Sequence, residues 1–289
     1  MTDGLPVPSR PRLPPMRLSH LPLIFALALV AVLLSAALFA PWLAPHDPNL
    51  ISLADRLQGP SARHWLGTDH LGRDLFSRLM HGTRMSLGSV LMSLLGILAI
   101  AVPVGAAAGY LGGRVDQALM RICDGMMTFP TVVLALFLIG ALGTGLANVV
   151  VAIAVSHFPF YARIVRAVVL TLRNADFVLA ARLSGAGRIR VFIDHLLPAI
   201  AAQILVLASL DVGHMMLHVS GLSFLGLGVE TPTAEWGVMI ADGRQFVFSQ
   251  PMLIVLPGLC LLMAVMASNI LGDALRDRLD PHHQFGHDH

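Results

Sequence analysis

Apolar residues in this chain gather into uncharged runs, most of them bounded by arginine, glycine or proline, and the longer ones match the width of a bilayer. Roughly 20 consecutive apolar residues cross the hydrocarbon layer as a helix. Leu21–Phe39 is the first run and follows Arg10, Arg12 and Arg17. Its start has the shape of a signal peptide, with Leu38–Ala40 as a loose cleavage site, but the run is long for one and further spans follow. It reads as an anchoring helix. Ser86–Leu111 is the second span, ended by Gly112-Gly113-Arg114. No charge separates Asp124 from Arg163, a stretch too long for one crossing, and Gly140, Gly143, Gly145 and Asn148 supply a turn in its middle. That gives spans three and four. Ala199–Phe224, interrupted by Asp211, is the fifth, and Met252–Leu271, entered through Pro251, is the sixth. The pattern predicts an all-α membrane protein of six transmembrane helices over residues 21–281. Outer loops are expected at 41–85 and 229–250, with a proline-rich tail at 1–20 and a histidine-rich tail at 282–289.

Arginine placement orients the spans, because cytoplasmic loops carry the excess of basic residues. With the N-terminus inside, the inner segments hold 13 arginines and the outer ones six, namely Arg56, Arg63, Arg73, Arg78, Arg84 and Arg244. Both termini are then cytoplasmic. Composition agrees with membrane residence: 56% of residues are hydrophobic and 12% charged, against about 25% charged in soluble domains.

All 19 basic residues are arginine. A Walker A phosphate loop needs a lysine, so any ATP that drives this chain is bound by another subunit. Cys123 and Cys260 lie in or beside apolar runs and read as small buried hydrophobes. No basic patch interleaved with aromatics supports nucleic-acid binding.

One inner segment, Arg173–Pro198, is amphipathic rather than apolar. Arg182, Arg188, Arg190 and Asp194 are polar, Leu179, Leu183, Ile189, Val191 and Phe192 are expected to form a buried side, and Gly185 and Gly187 divide the segment into two short helices. Leu179-Ala180-Ala181, then Gly185, His195 and Leu197-Pro198, resembles the coupling-loop motif of binding-protein-dependent importer permeases. The motif has glutamate where Leu179 stands, so a polar anchor must come from elsewhere, with Arg182 and Asp176 available. The resemblance implies a type I ABC importer permease in which Leu179, Ala180, Ala181, Arg182, Gly185, His195 and Pro198 couple the membrane helices to a cytoplasmic ATPase.

Two outer blocks are similar to the dipeptide, oligopeptide and nickel branch of that family. One is His64-Trp65-Leu66-Gly67-Thr68-Asp69-His70-Leu71-Gly72-Arg73-Asp74. The other is Leu222-Ser223-Phe224-Leu225-Gly226-Leu227-Gly228, with Pro232-Thr233 and Glu235-Trp236-Gly237 after it. Their glycines and Asp/Arg pairs suit an ordered outer loop. Their expected roles are structure and docking of a periplasmic substrate-binding protein.

Within the fifth span, His214 and His218 are four apart and Asp211 is three before His214, so the three share a helix face, which Met215 joins in part. Ionisable groups at membrane depth are expensive and mark pathways. Imidazole suits nickel, and a carboxylate or thioether can complete a weak site. The bland alternative is a hydrogen-bonded packing histidine with methionines filling the core. His157, beside Pro159 and Tyr161 in span four, is a further candidate. Gly-His-Met-Met-Leu-His and Gly272-Asp273-Ala274-Leu275-Arg276-Asp277 resemble the second permease of nickel importers. The tail adds His282, His283, His287 and His289 as further metal donors.

The resemblance implies a bacterial inner-membrane subunit, itself not an enzyme, that imports nickel as ion or chelate and keeps no tightly bound cofactor. Its expected partners are membrane lipid, a second homologous permease, two ABC ATPase subunits and a periplasmic binding protein. A dipeptide, oligopeptide or other metal-chelate importer is the alternative. An intramembrane enzyme lacks support, because His-Glu-x-x-His and Gly-x-Ser-x-Gly are absent and the only glutamates are Glu230 and Glu235. A passive channel would not need the coupling pattern.

Overall fold

The computed structural model describes residues 21–279, so the tails at 1–20 and 282–289, including His282, His283, His287 and His289, lie outside the described residues. Among the described residues there are ten α-helices: α1 Leu21–Leu43, α2 Leu75–Leu111, α3 Gly113–Met127, α4 Thr131–Leu142, α5 Leu146–Leu172, α6 Asp176–Leu183, α7 Arg188–Val191, α8 Leu197–Phe224, α9 Trp236–Gly243 and α10 Met252–Leu279.

Five helical stretches are long and apolar enough to cross a membrane: α1, α2, α5, α7 running into α8, and α10. The sixth candidate span is a bent pair of helices. α3 and α4 meet at 91°, and α4 alone, at 12 residues, is only about 18 Å long. The expected third span after Asp124 is therefore not one straight helix. Pro130 explains the break, since a proline disfavours helical backbone at the residue before it and has no N–H to donate. α3 carries Arg114, Asp116, Arg121 and Asp124 at helical spacing, as a helix at a polar boundary does.

Two other boundaries differ from the expected ones. α2 starts at Leu75, not Ser86, and at 37 residues is about 55 Å long, well beyond the bilayer core. Its extra turns are possible because Arg78 is buried between Asp69 and Asp242 rather than marking a chain boundary. The fifth span begins at Arg188, not Ala199. After the single turn of α7 it passes through a widened π turn, Phe192–Leu196, in which the Leu197 N–H reaches the Phe192 carbonyl. Pro198 cannot donate to a carbonyl in the turn before it, and the helix widens there instead of stopping.

α5 packs along α2, α8 along α10, and α1 against both α2 and α10. The α2–α5 contact is a backbone contact: a Cβ on Gly105 would lie 2.3 Å from the Ala162 carbonyl oxygen, and one on Gly109 2.8 Å from Val169 Cβ. Small residues at helix crossings let backbones approach where lipid supplies no hydrophobic drive. The main core includes Ile97, Ile139, Ile153, Tyr161, Met215, Met216 and Trp236. A second, smaller core of Val165, Val169, Val178, Val191, Leu196 and Ile200 lies where α6 and α7 meet α5 and α8.

Candidate transport path and coupling surface

α5 and α8 pass each other so that residues early in one meet residues late in the other. The His157 ring on α5 lies edge-on to that of His218 on α8, centroids 4.9 Å apart at 86°. His214 stacks on His218 at 5.8 Å. One turn further along α5, the Tyr161 hydroxyl donates to Asp211 Oδ2 at 2.7 Å. Two sequence-distant pairs, 157 with 218 and 161 with 211, thus close one polar seam between two apolar helices.

The histidines are held at one nitrogen. His218 Nδ1 is 2.9 Å from the His214 carbonyl oxygen, and His157 Nδ1 is 3.0 Å from the Ile153 carbonyl oxygen. A ring whose Nδ1–H donates to a carbonyl presents Nε2 as a lone-pair ligand, the tautomer a weak metal site requires. His214 is exposed on the surface of this chain, while His157, His218 and Asp211 are half-buried. Met215 does not stand with them in solvent: it is 1% exposed, within the main core. Its helical register allowed either placement, and burial put its thioether into packing.

At the other expected site, α6 buries Val178 and leaves Leu179, Ala180, Arg182 and Leu183 exposed, with Ala181 half-buried. Leu183 is 90% exposed. The turn after it requires Gly185, whose φ of +87° favours glycine although no atom lies within 4 Å of the position a Cβ would take. Ile189 and Ile193 are also exposed and share one open depression with Arg188, Arg190 and Asp194. His195 is half-buried and meets the Phe177 ring edge-on at 6.0 Å, and Pro198 is exposed beside it.

Sequence reasoning did not single out the residues that hold this segment. The Tyr110 hydroxyl, at the end of α2, donates to the Arg188 carbonyl at 3.0 Å. The Arg182 guanidinium lies 5.8 Å over the Tyr110 ring, within cation–π range. Arg173 donates to the Gly109 carbonyl at 2.9 Å. Tyr110 ends an apolar run and Arg173 follows one, so neither carried a signal. Arg182 thus lies over Tyr110 while remaining exposed at the surface of the chain.

The outer blocks form a polar lock. Arg73 pairs with Asp69 at 2.6 Å and with Asp242 of α9 at 3.0 Å. Glu235, 0% exposed, accepts from the Ser86 hydroxyl of α2 at 3.0 Å, the Ser220 hydroxyl of α8 at 3.2 Å and the Val238 N–H at 3.0 Å. A buried carboxylate persists only when hydrogen-bonded in this way. Asp74 caps α2: burial alone would raise its carboxyl, but the Ser77 hydroxyl and N–H, with His64, hold it below the usual carboxylate range.

Two family descriptions match this chain. "Binding-protein-dependent transport system inner membrane component" covers residues 101–284, and "N-terminal TM domain of oligopeptide transport permease C" covers residues 22–60. The nickel transport system permease protein NikC of Escherichia coli (strain K12) is 59% identical over 91% of this chain and 95% of its own length. The probable D,D-dipeptide transport system permease protein DdpC of the same strain is 43% identical over 88% of this chain and 85% of its own length. Among solved structures, an inward-facing MetNI methionine ABC transporter matches at a TM-score of 0.57 and 18% identity, over 71% of this chain and 98% of that one. That match speaks for the fold alone.

Proposed function

Because this chain belongs to the binding-protein-dependent transport system inner membrane components, we propose that it is the permease subunit of an ATP-driven nickel importer. The observation that carries the substrate is the contact of His157 with His218 across the α5–α8 seam, with His214 stacked on His218 one turn away. Three imidazoles beside Asp211 suit a borderline divalent cation and offer little to a peptide backbone. The relatives' names point the same way, since a NikC permease is 59% identical and a dipeptide permease 43%.

In this reading nickel is cargo and no cofactor is kept. His157, His214 and His218, with Asp211 nearby, form a weak station that accepts the ion and releases it. The seam opens onto the surface of the chain, so a second, similar permease covers it and completes the path. A periplasmic binding protein delivers the ion on the side of α9, and both termini face the cytoplasm.

Two ATPase subunits dock on the opposite side. Exposed Leu179 and Leu183, ringed by Arg188 and Arg190, fit a groove that is apolar in its floor and acidic at its rim. Ala180 and Gly185 permit close approach, and His195 and Pro198 carry the movement into α8. Closure of the ATPase pair around ATP then rocks α8 against α5, where the histidines lie.

The test is accumulation of radioactive nickel in cells lacking their own importer and supplied with this chain and its cognate subunits. Uptake that requires an intact ATPase and falls at least tenfold in His214→Ala/His218→Ala, at equal membrane abundance, supports the reading. No uptake with every subunit assembled would reject nickel as cargo and bring a peptide or another chelate forward.

A further inference from the structure

At the end of α2 remote from the coupling segment, the geometry points to a second metal site, built from His46, His64 and Asp74 and suited to a divalent first-row transition ion. This inference rests on those residues and is independent of the nickel reading.

The chain fixes all three backbones. His46, in the loop after α1, donates its N–H to the Ser77 hydroxyl on the first turn of α2 at 3.2 Å. His64 donates its N–H to the Ser61 hydroxyl at 3.0 Å, and its carbonyl accepts from Ser61 and Gly67. Asp74 is the N-cap of α2 and divides its oxygens. Oδ2 accepts from the Ser77 N–H and hydroxyl at 2.8 and 2.7 Å. Oδ1 is left to face the two imidazoles, with His64 Nδ1 at 2.9 Å and His46 Nδ1 at 3.8 Å. The rings are 4.8 Å apart, tilted by 33°. One ligand atom from each residue lies within 4.8 Å of the others.

A hydrogen-bonded His64–Asp74 pair accounts for part of this arrangement. It does not account for His46, whose Nδ1 is enclosed by protein and has no hydrogen-bond partner. A tetrahedral ion bonded at about 2.0–2.2 Å holds its ligand atoms roughly 3.3–3.6 Å apart. The two measured separations to Asp74 Oδ1 bracket that range, so an ion needs only a slight spreading of His64 and an approach of His46. The cap bonds to Oδ2 orient the carboxylate as outer partners of metal ligands do. Two imidazoles and one carboxylate favour nickel, cobalt, copper or zinc over magnesium or calcium. His64 and Asp74 are 6% and 1% exposed and His46 26%, which leaves an approach on the His46 side. A bound ion would staple the α1–α2 loop to the head of α2.

Cobalt(II) alone is the probe, titrated into the full-length chain in detergent, with bound metal counted by equilibrium dialysis and coordination read from visible absorption. His46→Gln is expected to remove one cobalt per chain, or weaken one site at least tenfold, together with its absorption bands. His214→Ala/His218→Ala is expected to keep that site. His46→Tyr serves as a second variant, and metal-free thermal melts confirm that both fold. An unchanged cobalt count and spectrum in folded His46→Gln and His46→Tyr would overturn the site. Loss confined to His214→Ala/His218→Ala would overturn it as well, while leaving the membrane path intact.

Discussion

Tyr161 on α5 and Asp211 on α8 are 50 residues apart in the chain and joined at 2.7 Å, the phenol donating and the carboxylate accepting. The bond ties together the two helices that also carry His157 and His218. Tyr161→Phe keeps the ring and removes the donor. Interhelical hydrogen bonds in membranes contribute about 0.6 kcal/mol on average and up to about 1.7. Here the loss should fall at the upper end, about 1.5 kcal/mol, because a carboxylate is left without its donor at membrane depth. Unfolding in mixed micelles measures it, and Asp211→Asn, which keeps an acceptor, should lose less.

Glu235 joins α2, α8 and α9 through three donors. In Glu235→Gln the amide nitrogen cannot accept, so at least one contact must be remade. The expected cost is about 1–3 kcal/mol, the range for a buried group left unsatisfied. Glu230→Gln is the control: its carboxylate meets the Thr144 hydroxyl at an exposed position and should change stability by less than about 0.5 kcal/mol. Thermal denaturation in detergent separates the two.

Gly105→Ala places a methyl group 2.3 Å from the Ala162 carbonyl oxygen and 2.7 Å from Val165 Cβ. Backbone cannot yield as a flexible side chain does, so α2 and α5 must separate. Overpacking of this kind costs about 1–3 kcal/mol, and membrane abundance should fall with it. Gly88→Ala on the same helix meets nothing within 4 Å and should leave abundance unchanged by immunoblot.

Leu183, 90% exposed on α6, contributes little to the fold. Leu183→Glu should leave the melting temperature within error, yet abolish co-purification of the ATPase subunits and ATP-dependent uptake. Retained ATPase binding would remove Leu183 from the docking surface.

Much of the architecture was legible because bilayer crossing imposes length and apolarity, both of which are local. The runs at Leu21, Met252 and Ala199 appear as α1, α10 and most of α8. What failed was local inference about charge and proline. Arg78 read as part of the outer loop 41–85, but Asp69 and the sequence-distant Asp242 hold it buried within α2. The fifth span read as starting after Pro198, but the helix runs through that proline and the turn before it widened. Pro130 passed unremarked, and it divides the third crossing into α3 and α4.

The sequence alone settles that this chain crosses a membrane and binds no ATP through a Walker loop, since composition, run length and the absence of lysine need no third dimension. It also places Asp211, His214 and His218 on one face, because helical period is a property of spacing. Only tertiary structure decided that His157 and Tyr161 meet that face, that Met215 turns from it into the core, and that His46 and His64 converge on Asp74. Each of those outcomes depends on how two segments far apart in the chain pack, and the periodicity of either segment carries no information about the other.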